Sequence, residues 1–169
     1  MPIRKYVITL TDAELALCTL EAQERVQRAI NKNATHRETK TVAKDDPHNF
    51  NGHYRGCVSE RAVEKYFGLS HQPNTYDNTK FDLSNGCEVR SLQAKYSWGC
   101  MIVHKWDKPA PYVLCSFTNI ANEFMIVGWR DLVDCLHDKY WRADMPAPAY
   151  LVPQTDLHDM ATLKERLAA

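Results

Sequence analysis

The residues best placed for chemistry lie in one short stretch near the middle of the chain. Residues 81–92, FDLSNGCEVRSL, alternate apolar side chains with Asp82, Glu88 and Arg90, which is the pattern of half-buried β-strands. The Ser-Asn-Gly segment at 84–86 supplies a turn between two such strands. The sequence therefore predicts a β-hairpin in which Asp82 lies opposite Glu88.

The turn allows two registers, and the apolar residues favour one of them. A three-residue loop with Gly86 in the left-handed conformation pairs Leu83 with Cys87 and keeps the apolar side chains on one face. A two-residue Asn-Gly turn pairs Leu83 with Glu88 and mixes polar with apolar side chains on both faces. Because a slip of one residue inverts every side chain, we predict the three-residue loop.

In this register the Cβ atoms of Asp82 and Glu88 are about 5 Å apart. Two carboxylates at that distance repel each other unless a cation lies between them. Carboxylate oxygens with open coordination positions suit a hard divalent ion, so the pair is a candidate Mg²⁺ or Mn²⁺ site. The alternative is a solvated polar face on which Arg90 neutralises Glu88.

Composition and charge limit the classes of function. The chain has 169 residues, 44% hydrophobic and 25% charged, which predicts a single globular domain with no membrane partner. Its net charge of zero excludes a protein that coats nucleic acid by bulk charge. A local patch would be needed instead, and residues 36–44 with His53, Arg55 and Arg61 are the candidates, unless they form a solvated loop.

Cysteine usage points to a reducing compartment. The chain has six cysteines but no Cys-x-x-Cys pair, which argues against a zinc ribbon or finger. Scattered cysteines in apolar contexts behave as small hydrophobic residues. With no signal peptide recognisable at the N-terminus, we expect a cytoplasmic protein, in a bacterium or a phage-infected host cell.

The predicted elements describe an α+β domain with one central sheet flanked by helices. A first strand within 3–10 precedes a helix that begins at the capping box Thr11–Glu14 and reaches residue 31. A polar loop at 32–53 leads to a second helix, 55–67, which ends at a glycine. Further strands are predicted at 99–106, 111–117, 123–129 and 149–152, with a short helix at 130–138.

The order of these elements and acids resembles the PD-(D/E)XK nuclease superfamily. In that superfamily an aspartate ends one strand, an acid-x-lysine motif lies on the next, and a preceding helix often adds a glutamate. Asp82, Glu88 and Arg90 match the strand positions, and Glu60 in CVSERAV matches the helical one. The resemblance implies a restriction-endonuclease-like core with a central mixed sheet.

The downstream segments VGW at 127–129 and PAYLVPQ at 148–154 are similar to small phage-type proteins built around a Glu-Val-Arg core. The likeness spans about residues 54–157. We therefore divide the single domain, 1–169, into an N-terminal strand and helix, a polar loop, a nuclease-like core and a C-terminal tail. These parts cover 1–31, 32–53, 54–157 and 158–169.

The resemblance implies Mg²⁺-dependent (or Mn²⁺-dependent) hydrolysis of phosphodiester bonds, with DNA as the expected partner. Asp82, Glu88 and the carbonyl of Val89 would hold the ion, and Glu60 would hold a metal-bound water or a second ion. Arg90 would hold the scissile phosphate. The sequence leaves the oligomeric state open, with a homodimer as one alternative.

Arg90 stands where the superfamily has lysine, and the change matters chemically. A desolvated lysine can lose its proton, whereas arginine stays protonated and cannot act as a base. Arginine can still clamp a phosphate with two donors. Lys95 and Gln93 are candidates for additional contacts, and Asp77 is an alternative first ligand if the hairpin has another register.

Four other interpretations stay open from the sequence. The first is a catalytically weakened module of the same fold that binds DNA or another partner. The second is a ββα-metal nuclease centred on residues 48–53, HNFNGH, and the third is a Cys-His hydrolase. In the fourth, Glu60 and Glu64 are only the exposed stripe of an amphipathic helix. The four tryptophans are expected to pack in or beside the core.

Overall fold

The computed structural model describes residues 3–31, 50–73, 79–94 and 99–169, which form an α+β fold with a mixed sheet flanked by helices. The elements in chain order are β1 (Tyr6–Thr9), α1 (Asp12–Asn31), α2 (Phe50–Phe67), β2 (Glu88–Leu92), β3 (Met101–Val103), β4 (Pro111–Phe117), β5 (Glu123–Asp131), α3 (Leu132–Cys135), β6 (Trp141–Arg142), β7 (Ala149–Val152) and α4 (Met160–Ala168). Single turns of 3₁₀-helix occur at Asp138–Tyr140 and Gln154–Asp156.

A capping box fixes the start of α1, and a glycine fixes the end of α2. Thr11 and Glu14 form the predicted capping box, since each side chain accepts a hydrogen bond from the other's backbone N–H, at 3.2 and 2.8 Å. Helix α2 ends at Gly68, whose φ of +70° suits glycine. The helix begins at Phe50, so the prediction of a loop through residue 53 is wrong at its C-terminal end.

The first sheet has the strand order β1-β5-β4-β2, in which β2 is an edge strand parallel to β4 and the other pairs are antiparallel. The predicted hairpin is therefore wrong as a strand pair, because residues 81–87 form a turn and, among the described residues, the one strand paired with β2 is β4. The local reason lies in Asp82, whose Oδ2 accepts the backbone N–H of Val89 at 2.9 Å. A side chain thus takes the place of a partner strand.

A second sheet, with the order β3-β7-β6, corrects the prediction of one central sheet. Its strands are two to four residues long and all antiparallel. It packs on the face of the first sheet that carries Tyr112 and Leu114, and these side chains share a hydrophobic cluster with Met101, Val103 and Val152. The molecule therefore has two cores, one on each face of the first sheet.

Helices α1 and α2 cover the other face through a cluster that includes Ala22, Val58, Val113 and Ile126. The C-terminal segment, 158–169, for which the sequence analysis predicts no element, contains a helix. Met160 and the next apolar residue of the same helix face, Leu163, are fully buried in this core, so burial holds the end of the chain as helix α4.

All six cysteines are free thiols, and five of them are buried. Burial raises the pKa of the Cys115 thiol to about 12, which makes it inert as a nucleophile. No helix of the described chain is both long and apolar enough to cross a bilayer.

Candidate functional site

The turn that precedes β2 brings two carboxylates together. It is closed by backbone hydrogen bonds from Leu83 N to Cys87 O and from Gly86 N to Leu83 O, each 3.1 Å long. Gly86 has the left-handed φ of +85° that the predicted three-residue loop requires. This turn places the Asp82 carboxyl within hydrogen-bonding reach of the Glu88 carboxyl. The two acids are neighbours as predicted, although no hairpin joins them.

Glu88 is the more constrained of the two acids. It is the first residue of β2, and only 4% of its surface is exposed. Burial raises the pKa of its carboxyl, and the neighbouring charge of Asp82 raises it further. Its Oε1 lies 2.9 Å from Lys108 Nζ, and this ammonium group favours the charged form of the carboxyl. Glu88 is therefore a buried carboxyl with a second carboxyl on one side and an ammonium group on the other.

Lys108 is the site residue that sequence reasoning missed. Parallel strands begin at the same edge of a sheet, so the segment before β4 lies beside the segment before β2. Glu88 is in register with Tyr112, whose hydroxyl donates a 3.1 Å hydrogen bond to the carbonyl of Lys108. The ammonium group also contacts the carbonyl of Lys80. A hairpin prediction gives no reason to bring residue 108 to this position.

Arg90 lies on the same face of β2 as Glu88 but is engaged elsewhere. Its Nη2 is 2.9 Å from Asp107 Oδ2, and its Nε donates to the carbonyl of Ile102 at 3.2 Å. The guanidinium also lies over the Tyr112 ring, 4.7 Å from the centroid. Neither Glu88 nor a phosphate site is its partner here. Arg90 instead ties β2 to the loop that carries Lys108.

Glu60 occupies a different environment on the other side of the sheet. It is 7% exposed, so the interpretation as an exposed helical stripe is wrong. Its two carboxylate oxygens accept from Arg25 Nη1 at 3.1 Å and Nη2 at 2.5 Å. Burial raises the pKa of Glu60, while this guanidinium favours the charged form and the nearby charge of Asp82 disfavours it. Glu60 is thus close to Asp82 but already paired.

A second bridge completes the polar contact between α1 and α2. His71 holds Glu21 through Nε2 at 2.8 Å and Glu64 through Nδ1 at 2.7 Å. The hydrogen bond to Glu21, and then that to Glu64, raises the pKa of His71 to about 9. Since both ring nitrogens face carboxylates, the imidazole is positively charged at neutral pH. This clamp also fixes the segment that follows α2.

The remaining predicted residues do not join the acid pair. The carbonyl of Val89 accepts a 3.4 Å hydrogen bond from Arg90 Nη1. Gln93 follows the far end of β2, roughly 16 Å along the strand from Glu88. Gly52 and His53 lie within α2 and not in a loop. Three further groups fall outside the described residues: Asp77, Lys95 and Trp98, the basic segment 36–44, and His48 with Asn49.

Whether this site fits a metal ion can be judged from its donors. Within the described ranges, no group of three or more His, Cys, Asp or Glu side chains is arranged to hold an ion. Mg²⁺ does not need such a cage, because it is usually bound by one or two carboxylates, waters and substrate phosphates. The neighbouring carboxyls of Asp82 and Glu88 meet that smaller requirement.

An open cleft of about 370 Å³ leads to Asp82. Its walls include Gln72 and Pro73, which follow the His71 clamp, and Lys80 and Phe81 from the turn. The cleft gives a ligand access from solvent to Asp82, the more exposed of the two acids. Comparison with protein-family models, with curated proteins and with solved structures gives no match.

Proposed function

We propose that the protein is a metal-dependent nuclease whose site is formed by Asp82, Glu88 and Lys108. The observation that carries the proposal is the buried Glu88 carboxyl, which lies beside both the Asp82 carboxyl and the Lys108 ammonium group. Such an arrangement is costly for folding alone, and perturbed buried acids at the edge of a cleft are typical of functional sites.

In this proposal Asp82 and Glu88 hold one Mg²⁺ or Mn²⁺ ion. When bound, the ion lowers the pKa of a water ligand and polarises the phosphate. Lys108 supplies the positive charge that attracts the scissile phosphate and offsets the negative charge of the two acids. Arg90 acts indirectly, because its contact with Asp107 holds the loop that presents Lys108. Glu60 has a structural role through Arg25.

The proposal includes both the chemistry and the fold that the resemblance to the PD-(D/E)XK superfamily implies. A helical layer on one face of a mixed sheet supports a restriction-endonuclease-like core. The acid before β2 and the acid at its first residue support the ligand assignment. Lys108 takes over from the motif lysine, so the arginine at position 90 is compatible with an active enzyme. DNA in the cytoplasm is the expected substrate and location.

The test is cleavage of linear duplex, single-stranded and branched DNA and of RNA, in Mg²⁺ or Mn²⁺. We expect cleavage that EDTA abolishes and that Glu88→Gln and Asp82→Asn each reduce more than about 100-fold, because removing a ligand should cost more than disturbing its support. Asp144→Asn is the matched control, since Asp144 is an exposed carboxylate paired only with the exposed Arg142 among the contacts described. Equal cleavage by wild type and Glu88→Gln would refute the site.

Metal binding provides a readout that is independent of activity. Mn²⁺ should raise the melting temperature of the wild type, because a ligand that binds only the folded state stabilises it. Glu88→Gln should abolish that rise and Asp144→Asn should keep it.

The catalytically weakened DNA-binding module remains the second candidate, since Lys108 already neutralises Glu88 and Arg90 is committed to Asp107. That candidate predicts nucleic-acid affinity that persists in EDTA, no cleavage, and no stabilisation by Mn²⁺. Cleavage that depends on metal and on Glu88 would exclude it.

A further inference from the structure

Trp106 is a large aromatic residue that the fold leaves outside both cores. Half of its surface is exposed, at 50%, in contrast to the 6% of the core residue Trp129. Its ring stacks on His104, with centroids 4.7 Å apart and an interplanar angle of 14°. His104 itself is buried. One side of the tryptophan is thus supported by a ring from the protein, while the residue as a whole stays accessible.

The turn that carries Trp106 is held rigidly. Asp107 N donates to His104 O at 3.0 Å, and His104 N donates to Asp107 Oδ2 at 2.8 Å. The same carboxylate is the partner of Arg90 on β2. Since the aromatic pair is fixed before any ligand arrives, a planar ligand would bind without the cost of ordering this turn.

The stacked pair lies next to the proposed nuclease site. Trp106 is two residues from Lys108, a separation of at most about 7 Å between Cα atoms. A second exposed ring, that of Phe81, at 43%, also lies near this lysine, with its centroid 5.5 Å from Nζ. Lys80 and Lys105, which adjoin Phe81 and Trp106 in the sequence, are both exposed.

We propose that Trp106, supported by His104, is a stacking platform for an unpaired base, and that the ligand is single-stranded nucleic acid. Every base has a flat face, and stacking on an aromatic side chain beside lysines is how single strands are commonly bound. In a duplex the faces of the bases are covered by their neighbours and are not available to a side chain. This inference rests on the proposed nuclease function and specifies its substrate class.

DNA and RNA share the base faces and phosphates on which the proposal depends, so the experiment includes both. Binding is measured by fluorescence anisotropy in EDTA, where cleavage does not interfere. The probes are labelled 12-nucleotide oligo(dT) and oligo(U), a blunt duplex hairpin, and a 12-mer of abasic sites that keeps the phosphates. The proteins are wild type, Trp106→Ala and Trp106→Phe. Trp141→Ala is the matched control, because Trp141 is also exposed but lies on β6, at the opposite edge of the second sheet from β3.

We expect the wild type to bind at least one single strand more tightly than the hairpin. Trp106→Ala should weaken that binding roughly 5- to 100-fold, the range found for removal of a stacking side chain. Trp106→Phe should retain most of the affinity, and Trp141→Ala should match the wild type. The abasic strand should bind weakly and with equal affinity to wild type and Trp106→Ala. Whichever of oligo(dT) and oligo(U) binds more tightly shows whether the preferred strand is DNA or RNA.

Any of four results would overturn the platform: no binding of either single strand, tighter binding of the hairpin, unchanged affinity in Trp106→Ala, or equal binding of the abasic strand. Circular dichroism of each variant establishes that it is folded, and the phenylalanine variant provides a milder change at the same position. If Trp106-dependent binding occurs but no substrate is cleaved, the nuclease proposal fails and the platform stands. If metal-dependent cleavage occurs without Trp106-dependent binding, the nuclease proposal stands and the platform fails.

Discussion

The α1–α2 interface and the turn before β2 both bury carboxylates, but they neutralise them in different ways. At the helix interface every described glutamate has a cationic partner. Glu14, Glu21, Glu60 and Glu64 face Arg25, Arg61, Lys65 and His71. At the turn, Glu88 has the ammonium group of Lys108 as its cationic partner, but it also has a second carboxyl, that of Asp82, as a neighbour.

This difference separates structural acids from candidate functional ones. A buried ion pair with matched charge tolerates its desolvation and becomes costly only when one partner is removed. A buried carboxyl beside a second carboxyl, as at Glu88, is unfavourable because the two negative charges repel, and a divalent cation would relieve that repulsion. The resemblance assigns Glu60 and Glu88 to one site, whereas their environments give them different roles.

The largest expected effect is at the helix interface. Arg25→Met should lower the free energy of unfolding by about 3–5 kcal/mol, because it leaves Glu21 and Glu60 buried without their guanidinium. Urea denaturation measures this. Arg28→Met is the control on the same helix, since Arg28 pairs with Glu24 in an exposed i,i+4 bridge that contributes about 0.3–0.5 kcal/mol. Equal losses in the two variants would mean that the buried network is not a structural element.

At the turn we expect that removing the cation destabilises the protein, whereas removing the acid does not. Lys108→Met should destabilise the protein by about 1–2 kcal/mol, because Glu88 then has no cation, and the partial exposure of Lys108 limits the loss. Glu88→Gln should be neutral or stabilising, since it removes one of two repelling charges. When Lys108→Met is combined with Glu88→Gln, the loss of stability caused by Lys108→Met should disappear. A loss above 3 kcal/mol for Glu88→Gln alone would place this residue with the structural acids.

The His71 clamp predicts a pH dependence of stability. The pKa of His71 rises from 6.5 to about 9 in the folded protein, so the folded state binds more protons than the unfolded state between those values. Its stabilising contribution is therefore complete below pH 6.5 and is lost as the pH rises through 9. We expect a decrease of about 1–2 kcal/mol over this range, less than the shift alone implies because the imidazole is partly exposed.

Thermal or urea unfolding from pH 6 to 9.5 measures this decrease, and His71→Gln is its control. Glutamine cannot carry the charge, so the variant should be less stable than the wild type at pH 6 and nearly equal to it at pH 9.5.

Burial and the Asp82 charge raise the pKa of Glu88 as well, so its protonated form stabilises the fold at low pH. That contribution is lost as the pH rises above the ordinary pKa of glutamate, and therefore at a lower pH than the contribution from His71. Parallel profiles for wild type and His71→Gln between pH 6.5 and 9 would exclude the clamp as a titrating bridge.

The smallest expected effect compares two glycines. Gly86→Ala should cost about 1 kcal/mol, because the turn needs a φ of +85° that other residues adopt with strain. Gly52→Ala in α2 has open space around the added methyl and should stabilise the protein by up to about 1 kcal/mol. Thermal unfolding distinguishes the two signs. If Gly86→Ala is neutral, the turn is not strained at this position and its geometry does not fix the acid pair.

Local hydrogen bonds explain which predictions from sequence succeed. The capping box at Thr11, the glycine stop at residue 68 and the left-handed Gly86 all depend on contacts within a few residues. The strand at Pro111–Phe117 has its predicted bounds, because the prolines at 109 and 111 mark where it begins. The hairpin failed because strand partners are chosen over long distances, and the Asp82 side chain satisfies the backbone where a second strand was expected.

The sequence by itself determined that Asp82 and Glu88 are neighbours, because a six-residue separation closed by a glycine turn leaves them little choice. Only the tertiary structure decided what surrounds them. Parallel pairing of β2 with β4 brings Lys108 to Glu88 from 20 residues away, and packing of α1 on α2 gives Glu60 its partner 35 residues away. Contacts of this kind leave no periodic pattern in the sequence, since they depend on which surfaces are buried together and not on the spacing of residues along the chain.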